Sequence, residues 1–199
     1  MIGIIDYGAG NLHSVLKAIT RLGHNTRLIS KPEDHDVSIT KLILPGVGNA
    51  KVAMNVLNES GLSCYIKTQV DSGTPILGIC LGMQLLLDTS EEGNISGLGL
   101  IKGTAPEFKN ITEKIPHMGW NQVKDVQSHF LFHDIPQYAD FYFVHSYYAN
   151  PSEAKDILGA TSYGIEFASA IGNEQVMGVQ FHPEKSGKYG IQLLDNFCK

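Results

Sequence analysis

The chain has 199 residues, 43% of them hydrophobic, with 15 Lys and Arg against 20 Asp and Glu, for a formal net charge of −5. That length suits one domain with a substantial core, residues 1–199, and leaves no room for two large ones. The negative balance and scattered basic residues give no field for nucleic acid, and no run of about 18 apolar residues would span a membrane. Three cysteines, Cys64, Cys80 and Cys198, are too few and too widely spaced for a disulfide framework or a metal set. The sequence therefore predicts no nucleic-acid or membrane partner, no metal, no cofactor and a reducing, cytoplasmic setting.

Residues 1–5 are apolar, but Asp6 interrupts the run and no basic segment precedes it, so it reads as a first buried strand rather than a secretion signal. Strand-like runs at 1–5, about 25–29 and 41–44 alternate with helical patterns at about 12–22 and 47–58. A further helix at about 62–71 leads into an apolar strand at 74–79. Leu81, Leu85, Leu86 and Leu87 then keep near-helical spacing until Asp88-Thr89-Ser90 ends it. This alternation argues for a parallel-rich sheet. After about residue 97 the pattern changes. Runs at 97–101, 120–123 and 141–148, and a hairpin of 167–171 and 175–181 around Gly172-Asn173-Glu174, read as strands with few helices between, before a last helix at about 186–197. The predicted class is α/β: a central mixed, mostly parallel sheet flanked by helices, with antiparallel strands added in the C-terminal half.

One cysteine stands at the junction of an apolar strand and a helical run, in Gly78-Ile79-Cys80-Leu81-Gly82. Glycines on either side permit the sharp turn that holds a nucleophile exposed on a strained backbone. A helix start also offers free N–H groups and a positive dipole end to an anion, and the Leu81 N–H is free to face a developing oxyanion. On the local pattern alone Cys80 reads either as a nucleophile or as a small buried apolar residue. A thiolate needs a base, and Gln180-Phe181-His182-Pro183-Glu184 supplies a candidate near a strand end. Alternate residues of an extended segment share a face, so Glu184 can orient the His182 imidazole. That is the logic of a Cys-His-acid triad.

In open α/β sheets the site lies beyond the carboxyl ends of parallel strands. Leu44-Pro45-Gly46-Val47-Gly48 follows such a strand, and a Val47 or Gly48 N–H there could complete an oxyanion hole with that of Leu81; a plain strand-to-helix turn is the other reading. Asp6-Tyr7-Gly8-Ala9-Gly10-Asn11 is a similar turn with Asn11 as a helix N-cap, and it lacks the third glycine of a dinucleotide fingerprint.

These residues resemble the class I glutamine amidotransferases, whose glutaminase domain carries a G-x-C-x-G nucleophile turn and a late H-P-E. Over nearly the whole chain, segments 6–11, 44–48, 78–84, 116–121, 142–147 and 181–186 look, in order, like the glutaminase subunits of imidazole glycerol phosphate synthases. The resemblance implies hydrolysis of L-glutamine to glutamate and ammonia. The ammonia would pass to a cyclase subunit, a (β/α)8 barrel forming a heterodimer with this chain, that makes imidazole glycerol phosphate and AICAR in histidine biosynthesis. A related ammonia-dependent synthase, such as a sugar-amination enzyme, is the alternative the motifs leave open. The resemblance further implies that Cys80 attacks the amide carbon, that His182 and Glu184 handle protons, and that Leu81 with the Val47–Gly48 region holds the oxyanion. Gln84 and His145-Ser146-Tyr147 would contact the glutamine head group. Asn11, Ser14, Met118 and Trp120 would face the cyclase, while a buried Trp120 is the competing reading of the lone tryptophan. One departure is visible. Asn49 and Ala50 follow Gly48 where the family has a small residue and then phenylalanine, which puts the local helix start in question.

Overall fold

The computed structural model describes residues 1–8 and 11–199; Ala9 and Gly10 of the first predicted turn lie outside them. The first half alternates as its periodicity predicts: β1 (Ile2–Ile5), α1 (Leu12–Arg21), β2 (Thr26–Ile29), β3 (Lys41–Gly46), α2 (Ala50–Glu59), α3 (Leu62–Asp71), β4 (Ile76–Cys80) and a short α4 (Leu81–Leu85). β1 and β4 are buried at every position, as strands covered on both faces must be. The second half supplies β5 (Leu87–Ser90), β6 (Ile95–Ser96), β7 (Ile101–Ala105), β8 (His117–Asp125), β9 (Ala139–His145), β10 (Asn150–Pro151), β11 (Ile157–Tyr163), β12 (Ile165–Gly172), β13 (Val176–Val179) and the last helix α5 (Gly187–Cys198).

Nine strands form the main sheet in the order β2-β1-β3-β4-β13-β12-β11-β8-β9, and β10-β7-β5-β6 form a smaller one. Pairings from β2 across to β13 are parallel, and those from β13 to β9 are antiparallel. One face of the main sheet packs against α1 and α5 through Val15, Ile19, Leu193, Leu194 and Phe197. The other packs against α2 and α3 through Leu57, Leu62 and Ile66. The β8–β9 ribbon returns toward the site, where Tyr142 on β9 accepts a hydrogen bond from the His182 N–H (2.9 Å) and donates its own N–H to Ser186 Oγ (2.9 Å).

Three local expectations are revised. The helix after Cys80 stops at Leu85 rather than continuing through Leu87. The backbone from Leu85 to Leu87 is claimed by the segment that follows: Leu98 donates to Leu85 O (2.7 Å), Leu100 to Leu86 O (2.8 Å) and Gly99 to Leu87 O (3.0 Å). The strand placed at 97–101 accordingly begins only at Ile101. Asn11 does not cap α1 with its side chain; its φ is 80°, and its carboxamide is engaged elsewhere. Asn49, the departure from the family pattern, builds a good helix start, since its Oδ1 accepts from the N–H groups of Lys51 (3.0 Å) and Val52 (3.3 Å).

Candidate active site

Cys80 ends β4, which lies between β3 and β13 in the parallel block, and register fixes its neighbours. Gly46 at the end of β3 pairs with it, and β13 runs alongside β4 up to Val179 opposite Ile79. Gln180 and His182 follow immediately, so the thiol, the predicted oxyanion turn and the histidine meet at the ends of three adjacent strands. Cys80 has φ 54° and ψ −110°, a backbone state costing about 1–3 kcal/mol for a residue with a Cβ. The flanking glycines explain how the turn fits. A Cβ at Gly82 would lie 1.8 Å from Leu44 O, and one at Gly78 would lie 2.7 Å from the Gly82 backbone. The elbow is thus pressed against β3.

Behind the thiol stand the predicted base and acid. His182 Nδ1 lies 2.8 Å from Glu184 Oε1, and both side chains are fully shielded from solvent. The same Glu184 oxygen accepts a hydrogen bond from the Asn11 carboxamide. Among the described residues, His182 Nε2 has no hydrogen-bond partner, and neither has Glu184 Oε2. Burial disfavours a charged His182, but the nearby Cys80 sulfur and the Glu184 carboxylate outweigh it and raise the imidazole to about 9. That arrangement supports imidazolium beside sulfur, with Nδ1–H held by the carboxylate and Nε2 left for proton exchange.

In front of the thiol is a cavity of about 270 Å³, at the small end for ligand sites, lined by Val47, Gly48, Leu81, Gln84, Glu92 and His145 among others. Pro116, Val144, Ser146 and Tyr147 complete it. The cavity therefore brings together the predicted oxyanion turn, Leu81, Gln84 and the 145–147 segment around Cys80. Glu92 was not anticipated. Its carboxylate accepts the Ala50 N–H (2.7 Å), and burial raises its pKa while the Ala50 and Asn49 hydrogen bonds oppose that rise. Among the described residues it is the one carboxylate on the cavity wall, a suitable partner for a substrate cation. Nothing in its local sequence, Glu91-Glu92-Gly93, separates it from a surface turn.

A comparison of sequence and structure with known proteins decides the family. Residues 3–199 match the family model described as glutamine amidotransferase class-I. The chain belongs to the class-I glutamine amidotransferases. Among curated relatives, the imidazole glycerol phosphate synthase subunit HisH of Methanocaldococcus jannaschii is 50% identical over 200 residues, covering 100% of this chain and 99% of that one. The protein of the same name from Geobacillus thermodenitrificans is 45% identical, covering 99% and 94%. The fold recurs in more distant structures, among them PurLQS from Thermotoga maritima (TM-score 0.79, 15% identity, 99% and 96% coverage) and a glutamine amidotransferase (TM-score 0.76, 16% identity, 100% and 99% coverage).

In this amidotransferase the cavity wall is stiffened by a buried pair of histidines. His117 Nδ1 lies 2.9 Å from His145 Nε2, and His145 Nδ1 lies 2.8 Å from Tyr147 O. A carbonyl only accepts, so His145 carries its proton on Nδ1, leaving Nε2 to accept from His117 Nδ1–H. The Asn121 NH₂, which donates to Ser162 O (2.9 Å), also faces His117 Nε2 (3.2 Å) and makes it an acceptor, so both rings are neutral. Burial lowers His117 to about 4; for His145 burial, reinforced by the neighbouring His117 and His182, outweighs the Tyr147 hydrogen bond and gives about 3. His117 was missed as a contributor because its role depends on β8 pairing with β9, where it sits opposite His145.

The residues predicted to face a partner divide. Met118 (62% exposed) and Trp120 (59%) project from β8, and Ser14 is exposed on α1, so the buried reading of Trp120 does not hold. Trp120 packs edge-on with Tyr142 across the strand pair, ring centroids 6.1 Å apart. Asn11 is only half-buried, and its side chain points inward to Glu184, so it touches the acid directly.

Proposed function

We propose that the chain is the glutaminase subunit of an imidazole glycerol phosphate synthase, a glutamine amidotransferase of histidine biosynthesis. Cys80 is the nucleophile, His182 the acid and base, and Glu184 the residue that orients it. The observation that carries this is the strained Cys80 elbow, set between the cavity and the solvent-shielded His182–Glu184 pair. The full-length relatives name the same subunit at 45–50% identity and weigh against the sugar-amination alternative.

Each step follows from the placement of these groups. Cys80 gives its proton to His182 Nε2, and the sulfur attacks the side-chain amide carbon of glutamine. The C–S bond forms as the amide π electrons move to oxygen. The Leu81 N–H, with an N–H from Val47 or Gly48, receives that oxyanion, an interaction worth about 2.7–4 kcal/mol per donor in comparable sites. His182 then protonates the departing nitrogen, the C–N bond breaks and ammonia leaves. Water, deprotonated by the same imidazole, adds to the thioester; the C–S bond breaks and sulfur regains its proton. The Glu92 carboxylate suits the α-ammonium of glutamine, while Gln84 and the 145–147 segment position the head group.

The ammonia passes to a cyclase subunit, a (β/α)8 barrel docked as a heterodimer on the face bearing Ser14, Met118 and Trp120, and both work in the cytoplasm. Asn11 would join that face to the acid it touches. The deciding experiment measures glutamate release and imidazole glycerol phosphate formation with and without the cyclase of the same organism, for the native chain and for Cys80→Ala. Loss of both products in Cys80→Ala is expected. Undiminished glutamate release by that variant would overturn the assignment.

A further inference from the structure

Gln180 precedes His182 by two residues and therefore shares its face of the extended chain leaving β13. The side chain is fully buried, and the proton-transfer steps do not use it. Its Nε2 donates toward Cys80 Sγ at 3.7 Å, and its Oε1 accepts from Gln84 Nε2 at 3.1 Å. Gln84 Nε2 also donates to Tyr147 O at 2.9 Å.

The direction of this chain of hydrogen bonds is forced from one end. The Tyr147 carbonyl can only accept, so the Gln84 amide must turn its NH₂ group toward it. Gln84's second N–H then points at Gln180, which must answer with its oxygen. The NH₂ of Gln180 is left to face sulfur, since the flipped amide would set two donors against each other.

We propose that Gln180 is a further catalytic residue of this glutaminase, a fixed N–H donor that holds the Cys80 sulfur in place and stabilises its thiolate. The inference rests on Cys80 being the nucleophile. A hydrogen bond to a charged acceptor is about twice as strong as one to a neutral acceptor, so the donor favours sulfur as anion over sulfur as thiol. It also restrains the sulfur without competing for its proton, because an amide N–H does not ionise. Gln84, which lines the cavity, thus also acts toward the nucleophile through Gln180.

The test follows alkylation of Cys80 by iodoacetamide as a function of pH in the full chain, read by mass spectrometry of the peptide that contains it so that exposed Cys64 does not contribute. Gln180→Met keeps the volume and removes the donor. We expect its Cys80 alkylation rate at neutral pH to fall about ten-fold and its rate–pH profile to move to higher pH, the scale of a charge-assisted hydrogen bond. Gln180→Glu, which sets a carboxylate against the sulfur, should move the profile further in the same direction and serves as the test if the methionine variant does not fold. A folded variant of either kind with an unmoved profile overturns the proposal, even if its kcat falls. Survival of glutamine hydrolysis in Cys80→Ala would instead refute the nucleophile, a separate outcome.

Discussion

Gly82 lies so close to the Leu44 carbonyl that a methyl group built on it would sit 1.8 Å from that oxygen. Real Cβ atoms do not approach within 3.0 Å, so the second glycine of the nucleophile turn is required by contact with the neighbouring strand. Gly82→Ala must push α4 off β3, at a cost of about 3 kcal/mol or more, and it should abolish glutamine hydrolysis by displacing Cys80. Gly23→Ala provides the contrast. There φ is positive, at 86°, but the added methyl meets nothing within 4 Å, and about 1 kcal/mol of backbone strain is the whole expected effect. Urea unfolding of both variants checks the difference; equal losses would mean that packing against Leu44 is not what fixes the turn.

The buried histidines set the acid side of the stability curve and the active-site histidine the alkaline side. His117 and His145 titrate near 4 and 3 when folded, against about 6.5 in the unfolded chain, so the unfolded state binds more protons between those values. Stability should fall as pH drops from about 6.5 toward 4. For His182, held up to about 9, the sign is reversed: its contribution is complete below about 6.5 and is lost as pH rises through 9. Cys80→Ala removes the support that sulfur gives the imidazole, so it should flatten the alkaline limb and leave the acid limb alone. Denaturation midpoints at pH 5, 7 and 9.5 separate these effects.

Much of this was legible in the sequence because it depends on local pattern. The strand-to-helix junction at Cys80, the two-residue spacing of His182 and Glu184, and the alternating first half all follow from periodicity and turn chemistry. What was not legible depends on pairing across the chain. Asn11 has the composition of an N-cap, yet its carboxamide is taken by Glu184, 173 residues away. Gln180 looks like any polar residue in a strand until β13 is laid beside β4, and His117 until β8 meets β9. The leucines after Cys80 fit a helix equally well as a buried strand; only the hydrogen bonds from 98–100 choose between them.

Asn11 and His182 both donate toward one oxygen of Glu184, so the acid is held from two sides while its second oxygen has no partner among the described residues. Glu184→Gln removes the charge that sustains imidazolium and lets the amide present an N–H to Nδ1, which favours the wrong tautomer. The expected result is a fall in kcat of about 10²-fold or more with KM for glutamine little changed, since the carboxylate does not line the cavity. Asn11→Ala keeps the charge and should cost less in kcat. Steady-state glutaminase kinetics with the cyclase present test the order; a larger loss in Asn11→Ala would show that the asparagine, not the charge, sets the imidazole.

Trp120 is the only tryptophan in the chain and is 59% exposed, beside Met118 at 62% on the same strand. Two large apolar side chains presented side by side on the paired β8 strand form the kind of anchor that carries interface energy, the indole having only two side-chain torsions to restrict on binding. Docking of the cyclase over this strand would desolvate the indole, so its fluorescence should shift to shorter wavelength and saturate at one partner per chain. Trp120→Ala, which lies outside the cavity and the triad, should weaken the complex by about 2 kcal/mol, roughly thirty-fold in Kd. Its hydrolysis rate at saturating cyclase should stay near that of the native chain. An unshifted emission on complex formation, together with unchanged affinity in Trp120→Ala, would place the partner on another face.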